Sequence, residues 1–554
     1  MKKTSKVKKI FYGLCGLAFL LFLGWWIFFT FYFENTLNRY TNSRLTEAVS
    51  ASTHGKYNLT MGKITYNSGT FACRNFILTR IGYDSSEHGN VLAKISIDTV
   101  TFIGVQWWDM ILGREMRMSG VVMNSPEIHM INIEKDHSSL KYLQIDTSEK
   151  PTTVKRTPVI RFDSIVLRNI AIYLPGEHDG SKPEFSDIKL KLRDFSLDPE
   201  TFELHPLLFS KHIDFSMLKT SYLLSGGDYS LVFHHLRGSF SDSLLMIDTF
   251  EYKPMYSKDE FATKHKFVQP RLDFRCFNLQ FHGINFEDLI HGIGISFKKC
   301  DASSWFVDFY CDKRKPMNPH PPAALMPNDL VRAITIPIDV DSLILDHGTV
   351  HWAERQPGSV EPGTLSFSNA RVSATPFCTD TLIHNMCKPT SISFSAIFIG
   401  ESQVNGSLIY PLHDRSLNCS IEANVGGFSA NRLNPELIPI ERIEVKDGRC
   451  DHGVIRMNIR DGISTTTVTP VYHDLSIKVL PKSASSSDGL IEGIKTLLAN
   501  TFSLRSNNKG GAGKTPVSAT TTLKRTKDEE FLQFAWYSLR QSLGKVVGFS
   551  PPSQ

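Results

Sequence analysis

Nine cysteines and 19 histidines are the side chains of this 554-residue chain best suited to metal, redox or acid–base chemistry. Cys15 lies in an apolar stretch. The other eight are Cys73, Cys276, Cys300, Cys311, Cys378, Cys387, Cys419 and Cys450, an even number that permits disulfides in an oxidising compartment. The nearest pairs, Cys300 with Cys311 and Cys378 with Cys387, could each staple a hairpin or loop; buried free thiols are the alternative. No Cys-x-x-Cys is present, which argues against a zinc or dithiol site. His234-His235 and the His347/His351 pair fall on strand-like sequence without a His-Glu-x-x-His, and such histidines are more often structural than ligands. No Gly-x-Ser-x-Gly elbow offers a nucleophile. Gly510-Gly511-Ala512-Gly513-Lys514-Thr515 has the look of a phosphate loop, but Asn508 stands where the motif needs its first Gly, and no strand precedes it. Asn58-Leu59-Thr60, Asn405-Gly406-Ser407 and Asn418-Cys419-Ser420 match the N-glycosylation acceptor, which matters only in a eukaryotic secretory pathway. The sequence therefore points to no catalytic site, no metal and no cofactor. An enzyme, which needs converging polar groups, is the least supported class.

What the chain does carry is alternation. In 391–480, Ile392, Phe394, Ala396 and Phe398 alternate with Ser391, Ser393 and Ser395. Val404, Leu408 and Tyr410 follow, then Leu417, Cys419, Ile421, Ala423 and Val425, then Ile455, Met457 and Ile459, and finally Leu475, Ile477 and Val479. A period of two puts successive side chains on opposite faces, so this reads as one sheet with one apolar side. The breaks at 411–416, 446–448 and 461–462 suit hairpin turns. Strand-like segments fill 56–480, with 286–290 the one short helical exception. An eight-residue pattern of apolar positions with a two-residue gap recurs at 95–102, 160–167, 190–197, 245–252, 272–279, 338–345, 365–372 and 438–445. Such a gap shifts the inward phase as a bulge does. With 41% hydrophobic residues many loose matches arise by chance, so the pattern supports β structure rather than a repeat.

Gly406-Ser407-Leu408 leading into Tyr410-Pro411-Leu412, then Asn431-Arg432-Leu433-Asn434-Pro435, Ile443-Glu444-Val445-Lys446-Asp447-Gly448 and Tyr472-His473-Asp474-Leu475, resemble the C-terminal region of the AsmA-like family of Gram-negative envelope proteins, whose larger relatives include TamB. The resemblance is best over 390–482, weaker at 46–80, and contains no catalytic signature. It implies an elongated, twisted antiparallel sheet curled into an apolar groove, anchored in the inner membrane. It also implies a role in moving phospholipid between inner and outer membranes and in outer-membrane homeostasis. The groove-lining candidates are Ile392, Phe394, Phe398, Ile421, Val425, Ile455 and Ile459. Exposing lipid tails to water costs ~0.8 kcal/mol per CH₂, so a dry trough removes most of the barrier without chemistry. The competing reading is a non-enzymatic assembly or scaffold factor that binds outer-membrane or other envelope proteins by strand addition at an open edge.

The ends of the chain set topology. Residues 10–33 hold no charge and are rich in Phe, Leu and Trp, long enough for a membrane-spanning helix. Trp25, Trp26 and Tyr32 lie toward its far end, and no small-x-small cleavage site follows. Lys2, Lys3, Lys6, Lys8 and Lys9 precede it and equal the whole formal net charge of +5, leaving the remainder balanced. This predicts a cytoplasmic N-terminus with the bulk periplasmic, and argues against a nucleic-acid partner. The expected organisation is a basic tail over 1–9, a transmembrane helix over 10–33, a juxtamembrane helix over 34–55 and the N-terminal part of the β-groove over 56–330. The AsmA-like C-terminal part follows over 331–480, then a low-complexity linker with amphipathic helices over 481–554. Proline-rich 313–327 reads as a loop, and 506–522 as disordered. In the tail, Phe531, Leu532, Ala535, Trp536, Leu539, Leu543 and Val546 form one helical stripe, suited either to an interface or to the protein's own core.

Overall fold

The computed structural model describes residues 20–24, 33–53, 55–67, 70–82, 90–106, 116–132, 159–173, 185–197, 209–224, 226–290, 293–379, 388–480, 504–510 and 515–548. The described chain is mainly β. It forms two compact units: 1–220 with 237–241, and 221–236 with 242–554. The proline-rich 313–327 stretch lies inside the second.

The first unit opens with helix α1 (Phe33–Ser52), followed by β1 (Tyr57–Thr60), β2 (Ile64–Asn67), β3 (Thr70–Arg80), β4 (Asn90–Ile103), β5 (Met116–Met118), β6 (Gly120–Asn124), β7 (Glu127–Asn132), β8 (Ile160–Tyr173), β9 (Phe185–Leu197) and β10 (Ser210–Leu223). The expected helix after residue 33 is present. Leu45 and Ala48 bury against Leu59, Ile64 and Phe71, so α1 covers the apolar face at the β1–β3 end. Its Asn38 also closes an edge: Nδ2 donates to the Ile64 carbonyl at 3.1 Å and Oδ1 accepts from the Ile64 amide at 2.5 Å. A carboxamide has the donor and acceptor of a peptide group, so it stands in for a neighbouring strand.

The expected transmembrane anchor over 10–33, and with it the inner-membrane location, is corrected: among the described residues no helix is long and apolar enough to cross a membrane. A span needs ~20 predominantly apolar residues. Only 20–24 of that stretch are described before α1 begins, and α1 carries Glu34, Arg39, Arg44 and Glu47.

The second unit contains β11 (Tyr229–Ser239), whose last residues belong to the first unit, then β12 (Leu244–Pro254), α2 (Lys258–Lys264), β13 (Pro270–His282), α3 (Phe286–Ile290), β14 (Ile295–Ala302), β15 (Ser304–Asp312) and α4 (Pro327–Ala333). It continues with β16 (Ile338–Arg355), β17 (Gly363–Thr375), β18 (Phe377–Cys378), β19 (Thr390–Phe398), β20 (Ser402–Tyr410), β21 (Cys419–Val425), β22 (Phe428–Ser429), α5 (Asn434–Glu441), β23 (Ile443–Arg460), β24 (Ile463–Val479), β25 (Ala519–Lys524) and α6 (Phe531–Val547). From β12 to β25 each long strand pairs with the next, and ten spacings of ~4.8 Å give a ladder ~48 Å across.

The sheet is not purely antiparallel. β14 and β15 lie end to end along β16 and run parallel to it, while both run antiparallel to β13. A parallel neighbour needs a connection long enough to return to the starting end, and proline-rich 313–327 with α4 supplies it. β5, β6 and β7 repeat this arrangement along β8 in the first unit.

Several local expectations hold. Asp461-Gly462 forms a two-residue hairpin loop with φ of 49° and 71°, between Arg460 and Ile463. Of the eight two-residue gaps, that of 365–372 carries the expected bulge: Asn369 is left-handed (φ 47°) and the ladder shifts register across Ser368–Arg371; in 190–197 Asp194 is left-handed (φ 53°), but the pairing continues without a slip. Asx side chains tolerate that conformation, and a bulge there bends the sheet. Two expectations do not hold. Residues 446–448 form no turn; they lie within β23, where the pairing slips around Asp447. The 438–445 match is half helix: α5 ends at left-handed Arg442 (φ 56°) before β23 starts. Its leading Asn434 bonds both the amide and the carbonyl of Val445.

The tail corrects a third expectation. Residues 504–510, expected to be disordered from 506 on, run beside β24: the Leu475 and Asn508 amides donate to the carbonyls of Ser506 and Tyr472. Asn508, buried, bonds the Pro470 carbonyl and both the amide and the carbonyl of Val517. Residues 481–503 and 511–514, which hold much of the expected linker and the second half of the phosphate-loop-like run, lie outside the described residues.

Candidate functional site

The apolar face of the second unit is the candidate site. Along the ladder, Leu345, Val372, Phe394, Gly406, Ala423, Ile455 and Val468 stand in one register row. Ala374, Ile392, Leu408, Ile421 and Met457 form the next. The Phe394 ring lies across Gly406, where a Cβ would overlap it. Phe398 sits 5.0 Å from Phe367 and 6.2 Å from Phe428, ring centre to ring centre. The predicted residues do share a face, and the opposite face is polar: Ser393 is exposed and shares a 2.6 Å hydroxyl contact with Ser373, and Glu422 faces Arg456.

Their environments differ. Ile392, Phe394, Phe398, Ile421, Val425 and Ile455 are half-buried, whereas Ile459 is 0% exposed. Ile459 belongs to a closed cluster with Met326, Val331, Tyr410, Leu417, Cys419, Met457 and Phe534, where α4 and α6 cover one end of the face; Ile421 packs at its margin. Ile459 is therefore covered by protein, not by a ligand.

The apolar face extends further than the expected residues. Phe233, Phe250, Phe274, Phe281, Phe297 and Phe367 are all half-buried around a floor of Ile247, Cys276, Leu279, Cys300, Ala302 and Trp305. Phe233 and Phe250 are 5.2 Å apart, and Phe281 and Phe297 5.1 Å. Aromatic rings of a filled core are usually shut off from water, whereas these are partly open. The available signal was composition: 37 Phe against 16 Tyr and 7 Trp weights the aromatics toward the ring without a polar atom.

The cysteines hold no disulfide among the described residues: Cys73, Cys276, Cys300, Cys311, Cys378, Cys419 and Cys450 are free. The Cys300/Cys311 staple is corrected. β14 and β15 follow one extended course beside β16, where Cys300 pairs with Leu343 and Cys311 with Glu354, so the two thiols stand ~35 Å apart. Cys378 is a buried free thiol, and Cys387 lies outside the described residues. Burial pushes the thiols of Cys276, Cys300 and Cys419 up to about 12 and those of Cys311 and Cys450 up to about 11, so they behave as apolar filling. Among the described residues no group of acidic, His or Cys side chains is placed to hold a metal ion.

α6 follows the expected stripe in part: Phe531, Ala535, Leu539 and Val546 pack inward. Its buried line is Phe534, Ser538, Ser542 and Val546. The small serines let the helix approach the strands: Ser542 Oγ donates to the Thr466 carbonyl at 2.8 Å and meets Thr521 Oγ1 at 2.5 Å. Leu532, 65% exposed, and Trp536, 45% exposed, face outward.

One carboxyl group in this unit is pushed up to the neutral range. Glu436, on α5, lies close to Gly363 and Ile440, and its Oε2 has no hydrogen-bond partner among the described residues. Burial first, then the neighbouring carboxylates Glu354 and Glu441, raise its pKa from 4.5 to about 7, against a smaller opposing effect of Lys313. Lys313 is engaged by Glu354 at 2.7 Å, and Glu441 by Arg540 at 2.8 Å. A raised carboxyl pKa means that the folded state holds a proton the unfolded chain has released. Its contribution is fully present below pH 4.5 and is lost as pH rises through about 7. Thermal melts of wild type should therefore fall between pH 5 and 8 by more than those of Glu436→Gln. Parallel slopes would show that Glu436 ionises without cost.

No family model, no curated protein and no solved structure matches this chain.

Proposed function

We propose that this chain binds the acyl chains of phospholipid along the apolar face of its second unit and shields them from water in transit between envelope membranes, in support of outer-membrane homeostasis. The partner is membrane phospholipid, and the carriage is non-enzymatic and needs no cofactor. The observation that carries this reading is the run of half-buried phenylalanines from Phe233 to Phe398, an aromatic-lined face over which the described residues lay no second sheet. A curl of the bulged sheet would turn that face into a groove. The AsmA-like resemblance is consistent with it. The competing assembly-factor reading needs an open strand edge, and the asparagine cap at Ile64 weighs against it at the β2 edge.

Native mass spectrometry of the protein purified without detergent tests the proposal. Lipid-mass adducts released by activation are expected. A lipid-free protein, or one that instead retains a stoichiometric protein partner, would sink it.

A further inference from the structure

Trp305, the second residue of β15, lies in the floor of the apolar face and is 8% exposed. Its register neighbours are small: Cys276 on β13, Gly348 on β16 and, beyond that, Ala370 on β17. The indole lies across Gly348, where any Cβ would overlap the ring. Three small residues thus make a slot for one large side chain. The apolar part of that arrangement is explained by packing alone. The nitrogen is not: Trp305 Nε1 is buried and has no hydrogen-bond acceptor among the described residues. Several other buried polar side chains of this unit are bonded, although Glu436 Oε2 and Ser538 Oγ, like this nitrogen, find no partner among the described residues. Tyr410 donates to Asn328 Oδ1 at 3.0 Å, Ser402 to the Gly426 carbonyl at 2.9 Å and Thr390 to the Pro376 carbonyl at 2.7 Å. An indole N–H can only donate, and a buried donor without an acceptor is unfavourable. A phenylalanine would fill much of the slot without that cost.

Resting on the lipid reading above, we infer that Trp305 donates a hydrogen bond to the acyl carbonyl of a bound lipid and so marks where the ester end of the chain comes to rest. The chemistry on both sides fits. Around Trp305 stand Phe250, Val307, Leu345, Val350 and Val372, half-buried and apolar, which suit a hydrocarbon chain that displaces whichever of them shields the nitrogen. A neutral N–H in such surroundings suits a neutral acceptor. A phosphate would have to shed its hydration there, so the headgroup stays in water. On an acyl chain the neutral acceptor is the carbonyl, next to the apolar tail.

The test compares dipalmitoyl phosphatidylcholine with its dihexadecyl ether counterpart, which has the same headgroup and tails but no carbonyl. Binding of each, delivered from mixed micelles to the full chain, is measured for wild type and Trp305→Phe. Wild type should prefer the diester by about tenfold, and Trp305→Phe should bind the two about equally. The readout is a ratio within one protein, so modest loss of packing does not affect it. An unchanged ratio in Trp305→Phe overturns the assignment. As a second measurement, the indole ¹H–¹⁵N resonance missing from Trp305→Phe should move downfield on adding diester to wild type and not on adding diether; equal responses to both overturn it too. Palmitate competition separates the sources of the carbonyl: displacement of the diester indicates a single-chain acyl ligand, its absence a glycerolipid, and either result supports the donor role. If neither phospholipid binds, the trough reading fails, and this one with it.

Discussion

Phe534→Ala is expected to cost ~3–5 kcal/mol of unfolding free energy, the range for removing a fully enclosed aromatic ring. Phe534 is 0% exposed and completes the cluster of Met326, Val331, Tyr410, Leu412, Leu417, Cys419, Met457 and Ile459. Few neighbours can collapse into the space. Tyr410 is held by its bond to Asn328, and α6 is fixed at its far end by Arg505, whose side chain and amide donate to the Val546 and Val547 carbonyls. Trp536→Ala, two residues along and larger in side-chain volume, should cost less than ~1 kcal/mol because Trp536 faces outward. Urea unfolding of the two variants decides. If Trp536→Ala were the more damaging, the helix would be held by its outer stripe, and the inward face described here would be misassigned.

That contrast also shows where the sequence was readable. Alternation from Ile392 to Val479 yields the strands, their shared face and the Asp461-Gly462 hairpin, because a period of two and a turn needing positive φ are local properties. The inward face of α6 is not local. Helical periodicity selects a stripe of which Phe531, Ala535, Leu539 and Val546 do pack inward, whereas Leu532, Trp536 and Leu543 are exposed. It misses Phe534, Ser538 and Ser542, which are buried because small serines permit close approach and Ser542 bonds Thr466 and Thr521. Likewise Asn508 and its neighbours read as linker from composition, and only the carbonyl of Pro470 and the peptide groups at Val517 reveal why an asparagine is there.

The candidate site was legible in part for the same reason. The face was visible, but which of its residues the protein itself covers was not. Ile459 and Phe394 occupy equivalent places in the alternation; α4 and α6, distant in sequence, close over the first and leave the second half-open. The Cys300/Cys311 pair misled because short spacing suggests a loop, whereas β14 and β15 keep the chain extended between them. Trp305 offered no signal by itself, since its slot depends on Gly348 and Ala370, which only the register brings beside it.

Phe394→Asp is expected to separate carriage of lipid from folding. Its ring lies across Gly406 and is half-buried on the apolar face, while Ser393, one residue back, is exposed on the polar face. An aspartate enclosed in a filled core would be an unpaired charge and should unfold the domain. At the half-open position of Phe394 the carboxylate can stay hydrated, so the loss should be limited to the packing of one ring, ~1–2 kcal/mol. Lipid bound at that position would then face a charge in place of an aromatic surface, and its affinity should fall tenfold for each ~1.4 kcal/mol of binding lost. Ser393→Asp should change neither property. The measurements are a thermal melt of each variant and photocrosslinking to labelled phospholipid from a diazirine amino acid at 393 or 394. Lipid adducts from 394 and not 393, together with a nearly normal Phe394→Asp melt, are the expected result. A collapsed melt with no adduct from either position would mean that this face is an ordinary β core whose phenylalanines meet only protein.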